Sequence, residues 1–465
     1  MVTVGTTELD ALVAECEANP PRLVDGEVEF HPAYHAAGRL VWATGVVGAP
    51  AREQASLFYE LAQAGEGGHA CPVVCTAGLV RALRSRASEE LRTRFLPPLL
   101  SSDYDAAERG AQFLTERHGG SDVGANRVEA VPGADGWRLY GEKWFCSVAD
   151  ADQFLVTARP RGAPEGTRGI GCFLVPRSGG GFRIRKLKDK LGTRALATGE
   201  IEFEGANAYA LGPLEEGFHT AVSVLNTSRW LNAVGSAGLT RRAADEAFAF
   251  ASEREAFGGA IGRFPLVREN LAVMKAEAAA ALASSLHLTE LVARIDEGSA
   301  TGQDVAWHRI LVNANKFVTS LAATKVCRRA IETLGGNGTI EDFSPLPRLY
   351  RDAIVFESWE GTHNVLCAQV LRDLAKLEAV DLAVERAQAP QELGARLRRS
   401  LAEPEWGALH GRRQLDELVR RLQVAELRKD GDEASADLIE RRHLTAGYDA
   451  ETDDAYADLI ERVLA

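Results

Sequence analysis

"GWRLYGEKWFCS", residues 136–147, alternates apolar and polar residues over most of its length, the two-residue period of a half-buried β-strand. Outward from it, residues 110–206 hold more such segments: "QFLVTARP", "GCFLVPR", "GFRIRKLK" and "GEIEFEG". Gly, Pro and Asp turns part them, and together they predict an antiparallel sheet or small barrel. Beyond both ends the period becomes helical. Upstream, "TELDALVAECEA" carries capping-box features at Thr7 and Asp10, and "ASLFYELAQA" has helical apolar spacing. "SEELRTRFLPPLL" predicts a helix that stops at its proline pair.

Downstream, "NLAVMKAEAAAALASSLHLTELVARI" sets Leu271, Met274, Ala278, Leu282 and Leu286 at helix spacing, as in a packed bundle. The tail is helical in pattern too, as in "RRQLDELVRRLQVAELRK". No solenoid period appears, and low complexity is limited to the alanines near residue 280. The reading is α+β, mostly α. It has a helical domain over 1–109, a middle β-domain over 110–215, a helical bundle over 216–376 and a helical extension over 377–465.

With 465 residues, 46% apolar and 26% charged, the chain has the composition of a multidomain globular protein. A net charge of −13 argues against a general affinity for nucleic acid or anionic membrane. The seven cysteines are scattered and form no CxxC pair, so neither a disulfide framework nor a zinc ribbon is expected. His69, Cys71 and Cys75 lie close together, but "HACPVVCTAGLV" reads as a buried small-residue helix, and no metal is expected. "MVTVGTTELDAL" is not a signal peptide, and no uninterrupted apolar window reaches the ~18 residues of a membrane span. The expected location is the cytoplasm.

Four strings stand out. "FLTERHGGSDVGAN" (113–126) lies where helices give way to strands, and Gly119-Gly120-Ser121 lets backbone N–H groups face a ligand closely. His118 in it reads as a solvated loop residue. "GEKWFCS" (141–147) is an aromatic strand ending in a hydroxyl. In "EREAFGGAIGRFPL", Arg254 and Phe257 end a helix and Gly258 begins a turn. "LGGNGTIEDFSPLPRLYRDA" has a Gly-rich start that permits tight backbone approach, and "FESWEGTHNV" (356–365) follows it. Glu360 there has two readings: a residue in a helix N-terminal turn capped by Ser358, or a functional carboxylate.

In this order and at these separations, the strings closely resemble the acyl-CoA dehydrogenase family over residues 30–376. "HPAYH" (31–35), "KDKLGTRALATGEIEFEGA" and "SWEGTHNV" resemble its AidB branch most. The resemblance implies an N-terminal helical domain, a middle β-domain and a C-terminal four-helix bundle, with FAD held noncovalently between the last two. Phe113, Leu114, Thr115 and Ser121 would then contact the flavin, Ser121 being also a substrate candidate. Phe145 would cover a ring face, with Cys146 beside it, and Ser147 stands where the family usually has Thr. Arg254, Phe257, Gly335 and Gly336 match contacts to the pyrophosphate and adenine of a neighbouring subunit's cofactor. Thr362 and Asn364 match cofactor contacts, and Gly361 and Arg229 match substrate contacts.

Glu360 aligns with the catalytic base, which takes an α-proton from an acyl thioester while a hydride leaves the β-carbon for flavin N5. The family's backbone N–H of the base, here that of Glu360, helps polarise the thioester oxygen. Trp359 and Phe356 are candidates for the apolar wall around it. Three departures are visible: Asn226 stands near a usual Asp, Phe264-Pro265 replaces a His/Tyr-Gln pair, and Arg229 reads equally well as a salt-bridge partner inside the bundle.

The implied activity is an FAD-dependent acyl-CoA dehydrogenase giving a 2,3-enoyl thioester. Its carrier is coenzyme A or a carrier protein, its acceptor an electron-transfer flavoprotein, and its assembly a homodimer or homotetramer. Two alternatives stay open. One is an AidB-like flavoprotein that binds DNA or a partner through the tail, with weak dehydrogenase activity. The interleaved Arg, Leu and Glu of "HGRRQLDELVRRLQ" suit a salt-bridged amphipathic helix better than a DNA-binding one. The other is a flavin oxidase or monooxygenase on the same fold, against which the retained Glu360 counts.

Overall fold

A computed structural model of the chain describes residues 7–465, and the capping role read for Thr7 falls on a side chain outside that description. The chain forms two compact units, Met1–Ser228 and Arg229–Ala465.

The first unit opens with α1 (Thr7–Ala18), β1 (Arg22–Val24), β2 (Glu27–Glu29), α2 (Pro32–Trp42), α3 (Ala51–Gln63), α4 (Ala70–Arg86) and α5 (Glu89–Leu99). The β1–β2 hairpin was not expected. Its turn is Asp25-Gly26, both at positive φ, the Asp-Gly pair that a two-residue hairpin loop favours. Helix α5 also corrects the reading that its prolines stop it: Pro97 and Pro98 lie inside it. A proline loses its own N–H but keeps its carbonyl, and Leu100 N bonds to Pro97 O at 3.1 Å. Helix α4 is buried along most of its length, with Cys71 Sγ and Cys75 Sγ 3.7 Å apart. Among the described residues, no group of three or more His, Cys, Asp or Glu is placed to hold a metal.

Seven strands follow: β3 (Gly110–Phe113), β4 (Glu129–Gly133), β5 (Gly136–Ser147), β6 (Gln153–Pro160), β7 (Gly171–Pro176), β8 (Phe182–Leu187) and β9 (Thr198–Ala210). The pairings β6–β4–β5–β9–β7–β6 close on themselves, so the sheet curls into a small barrel with no free edge along that circuit. It is antiparallel except where β3 and β4 run parallel to β6.

Between Lys143 and Cys146, β5 spends three steps against two on β9, from Ile201 to Gly199. That bulge shifts the alternation by one residue. Leu139, Lys143 and Cys146 therefore point inward, whereas Phe145 stands 53% exposed.

Helix α6 (Gly217–Glu253) starts in the first unit and ends in the second. The second unit continues with a ribbon, β10 (Glu255–Ala256) and β11 (Gly259–Ala260), then α7 (Pro265–Asp296), α8 (Gly302–Leu334), α9 (Leu346–Ser358) and α10 (His363–Lys376). The extension adds α11 (Val380–Arg386), α12 (Gln391–Ala402), α13 (Pro404–Lys429), α14 (Glu433–His443) and α15 (Tyr456–Leu464).

The single apolar face read for α7 is incomplete. Leu271 and Met274 join the core shared with α6, α8 and α9, but Leu286 is 47% exposed. Ala272, Val273, Ala276, Ala280 and Ala283 form a second buried face, against α13, α14 and α15. The alanine run is thus a small-residue seat for the extension. By length and composition α7 could cross a membrane, yet most of its most apolar stretch is buried within its unit.

Polar contacts also fasten the extension. Glu277 of α7 binds Arg420 Nη1 at 2.7 Å and His443 Nε2 at 2.6 Å, and His287 Nδ1 lies 2.8 Å from Glu426. Most tail arginines are paired with carboxylates: Arg396 with Glu417, Arg398 with Asp381, Arg399 with Glu403, and Arg428 with Glu440. That is the salt-bridged pattern read from the sequence.

Candidate functional site

The site residues read from the sequence divide between the two units. In the first, strand β3 delivers Phe113, Leu114 and Thr115 into the glycine loop, while β5 delivers Phe145, Cys146 and Ser147. Trp144 N donates to Thr115 O at 2.9 Å, joining β5 to the start of the loop.

Beneath the loop lies a buried ion pair that the sequence reading missed. Lys143 Nζ sits 2.8 Å from Glu116 Oε1, 3.0 Å from Leu114 O and 3.2 Å from Thr157 Oγ1. The two Glu116 oxygens accept from Arg127 N at 2.6 Å and Val128 N at 3.1 Å, while Asn126 Nδ2 donates to Leu114 O at 2.9 Å. Both ends of the loop are therefore pinned to one charged pair. Burial pulls the Lys143 ammonium down, and Glu116 opposes that pull.

Phe113 and Cys146 are wholly buried, with Phe113 packed on Phe154 at 4.7 Å between ring centres, so their side chains face the core. Burial pushes the Cys146 thiol well up. Phe145 is different: it is exposed, and Lys188 Nζ lies over its ring at 4.8 Å from the centre and 3.5 Å from that of Trp144. Lys188 also pairs with Glu200 at 2.9 Å. Ser147 Oγ is 3.2 Å from Thr198 Oγ1. At Gly119, φ is +149° and an added Cβ would meet nothing within 4 Å. An exposed aromatic side chain, a hydroxyl two residues further along the same strand and an open glycine turn are groups that suit a planar ring with a polar rim, as in a flavin. Ser121 is exposed on the same loop, and His118 lies on the surface beside Arg127.

In the second unit, Glu360 is not in a helix N-terminal turn. Ser358 ends α9, Trp359 is its C-cap, and Thr362 is the N-cap of α10, so Ser358 caps nothing for Glu360. Glu360 and Gly361 form the link, at φ +50° and +112°. The left-handed region costs a side-chain-bearing residue about 1–2 kcal/mol, so the surroundings must hold Glu360 there.

Three side chains do so. Arg229 Nε donates to Glu360 O at 2.9 Å. Asn232 Nδ2 reaches Phe356 O at 3.2 Å and Glu360 Oε2 at 3.3 Å. Lys316 Nζ donates to Glu357 O at 2.9 Å and Gly361 O at 3.3 Å. Two carbonyls in the last turn of α9 and two in the link are thus taken by α6 and α8, and the ammonium reaches one of each, a charge the helix C-terminus favours.

Burial pushes the Glu360 carboxyl up, although Lys316, Arg229 and the Asn232 bond pull it down. Part of the residue still reaches the surface, but its carboxyl is desolvated enough for burial to prevail. Burial also brings Lys316 down to about 8 and Arg229 to about 10, each opposed by Glu360. Phe356 packs into the core and against half-buried Trp359, their rings tilted and their centres 4.8 Å apart.

Lys316 and Asn232 were not read from the sequence. The available signals were the lone charge of "ILVNANKFVTSLAAT" and a polar residue one helical turn after Arg229.

Thr362 and Asn364 are exposed around the start of α10. Arg254 follows the end of α6, and Phe257 stands at the tip of the ribbon rather than ending the helix, 98% exposed at φ +51°. Gly335 caps α8 at φ +62°, and neither Gly335 nor Gly336 would bring an added Cβ within 4 Å of a neighbour.

The chain matches three family models: "Adaptive response protein AidB N-terminal domain" over residues 20–106, "Acyl-CoA dehydrogenase, middle domain" over 111–206 and "Acyl-CoA dehydrogenase, C-terminal domain" over 215–375. It is 33% identical to AidB of Escherichia coli (strain K12) over 409 residues, 81% of this chain and 73% of that protein. Among solved structures, the apo form of Bd2924 is similar at TM-score 0.87 and 30% identity, covering 92% of this chain and 91% of that one. ACDH-11 of Caenorhabditis elegans, solved in complex with C11-CoA, is similar at TM-score 0.84 and 26% identity, covering 98% of this chain and 84% of that one.

Proposed function

Since the chain belongs to the acyl-CoA dehydrogenase family, we propose that it is an FAD-dependent dehydrogenase of acyl thioesters with Glu360 as its base. The observation that carries this reading is the state of Glu360. Its carboxyl is desolvated and raised, set in a strained left-handed turn, and held by Arg229, Asn232 and Lys316.

A base for an α-proton needs a pKa above that of an ordinary carboxylate and must still be ionised at the working pH. Burial supplies the first condition. The two cations beside it, which favour its charged form, supply the second. Glu360 takes the α-proton and becomes a neutral acid, and its backbone N–H is the donor we assign to the thioester oxygen. FAD, when bound, supplies the hydride acceptor for the β-carbon. Leu114, Thr115, Ser121, Phe145 and Ser147 would hold its ring, Phe145 by its aromatic side chain and Ser147 by its hydroxyl. Gly361, Thr362 and Asn364 follow the base directly, around the start of α10.

Arg229 spends its Nε on the carbonyl of Glu360, which supports a role in holding the base over one in grasping the thioester. Coenzyme A as carrier is supported by the C11-CoA complex of ACDH-11. The exposed Phe257 tip, with Arg254, Gly335 and Gly336, suits contact with the cofactor of a second copy, and an electron-transfer flavoprotein is the acceptor we assign.

The test is anaerobic addition of a chain-length series of acyl-CoAs to the FAD-loaded protein and to Glu360→Gln. Bleaching of the flavin absorbance in wild type, lost in the variant, is the expected result. If no acyl-CoA bleaches fully loaded wild type, the dehydrogenase reading is wrong.

A further inference from the structure

Lys316 is wholly buried at the middle of α8, and no other charged residue lies between Arg309 and Lys325. Burying an ammonium is costly unless its surroundings need the charge. What it touches is specific. Its Nζ bridges Glu357 O and Gly361 O, the carbonyls three residues before and one residue after Glu360. It thus spans the break between α9 and α10 across the link that carries the candidate base.

We propose that Lys316 is a positioning residue for Glu360: its ammonium clamps the α9–α10 link so that the left-handed turn persists, and it favours the ionised carboxylate. This rests on the reading of Glu360 as base, but the clamp itself does not depend on the reaction. Its charged end is spent on those two carbonyls, which an apolar side chain could not bind, so packing alone does not account for a lysine here.

The charged groups around Lys316 are consistent with this role. Glu360 and Glu357 favour its protonated form, while Arg229 of α6 disfavours it. Glu357 is itself engaged by His363 of α10, whose Nε2 lies 2.7 Å from its carboxylate. Asp373 of α10 faces Arg229, and Arg412 of α13 lies over the ring of Phe317, the next residue of α8, at 5.4 Å. Glu357 thus has a hydrogen-bond partner of its own in His363, while Lys316 and Arg229 are the cations that favour the charged form of Glu360.

Two variants separate clamp from charge. Lys316→Gln keeps N–H donors for the two carbonyls and loses the charge. Lys316→Met loses both. Hydrogen exchange over residues 357–362 reads the clamp without any turnover, and exchange should rise about tenfold or more in the Met variant and much less in the Gln variant. The pH profile of flavin reduction by the best acyl-CoA reads the charge. In both variants its acidic limb should move to higher pH, because the ammonium that lowers the Glu360 pKa is gone.

A kcat loss of about tenfold or more with KM little changed is expected for Met. Unchanged exchange in Lys316→Met, or an acidic limb that stays put in a folded Lys316→Gln, overturns the proposal. If wild type is not reduced by any acyl-CoA, the dehydrogenase reading fails, and the exchange result alone decides the clamp.

Discussion

Arg229 Nε donates to the backbone carbonyl of Glu360 at 2.9 Å, joining the first turn of the second unit to the link between α9 and α10. A buried carbonyl left without its donor costs about 1–3 kcal/mol. Arg229→Met is expected to lose about that much unfolding free energy in urea and to slow flavin reduction about tenfold or more. Full retention of both would make this bond incidental to the site.

The Lys143–Glu116 pair invites a second measurement. Removing one member of a buried pair leaves the other charge uncompensated, typically at about 3–5 kcal/mol. Lys143→Met and Glu116→Gln should each destabilise the protein strongly and lower the FAD bound per chain, because both ends of the 114–128 loop hang on this pair. The double variant should recover part of the stability. Normal flavin content in folded Lys143→Met would show that the loop needs no such anchor.

Lys316 gives a pH dependence whose sign is fixed. Its folded value of about 8 lies below the ordinary 10.5, so between those values the unfolded chain binds more protons. Stability then rises with pH through that window. The difference in unfolding free energy between wild type and Lys316→Met should therefore shift in favour of wild type from about pH 8 to about pH 10. A flat difference would mean that the ammonium is not desolvated in solution.

Glu277 behaves oppositely. Burial pushes its carboxyl up, but Arg420 and His443 outweigh that and hold it well below the ordinary 4.5. Its contribution is full above 4.5 and is lost as pH falls from there towards the folded value. Because its partners lie on α13 and α14, the extension should loosen on acidification through that range, measured as faster proteolysis after residue 376. Glu277→Gln should already be loose at neutral pH, because Arg420 and His443 lose the carboxylate they share, and insensitive to acid.

The sequence by itself determined the order of helices, strands and helices, since periods of 3.6 and 2 are local properties of the chain. It also marked Glu360, Arg229 and the glycine loop, whose residue types and separations are legible without coordinates. The β1–β2 hairpin is equally legible in its Asp25-Gly26 turn.

Tertiary structure decided the rest, because it depends on which distant residues meet. A single bulge in β5, visible only against β9, turned Phe145 outward and Cys146 inward. The second buried face of α7 exists because α13, α14 and α15 fold back onto its alanines, so a rule that assigns one face per helix misplaced Leu286. At Glu360, the flanking string allowed a helix cap or a base, and Asn232 and Arg229, 128 and 131 residues away, with Lys316, 45 residues before Gly361, hold its turn. Propensity disfavours a left-handed glutamate, and long-range hydrogen bonds to buried carbonyls override it.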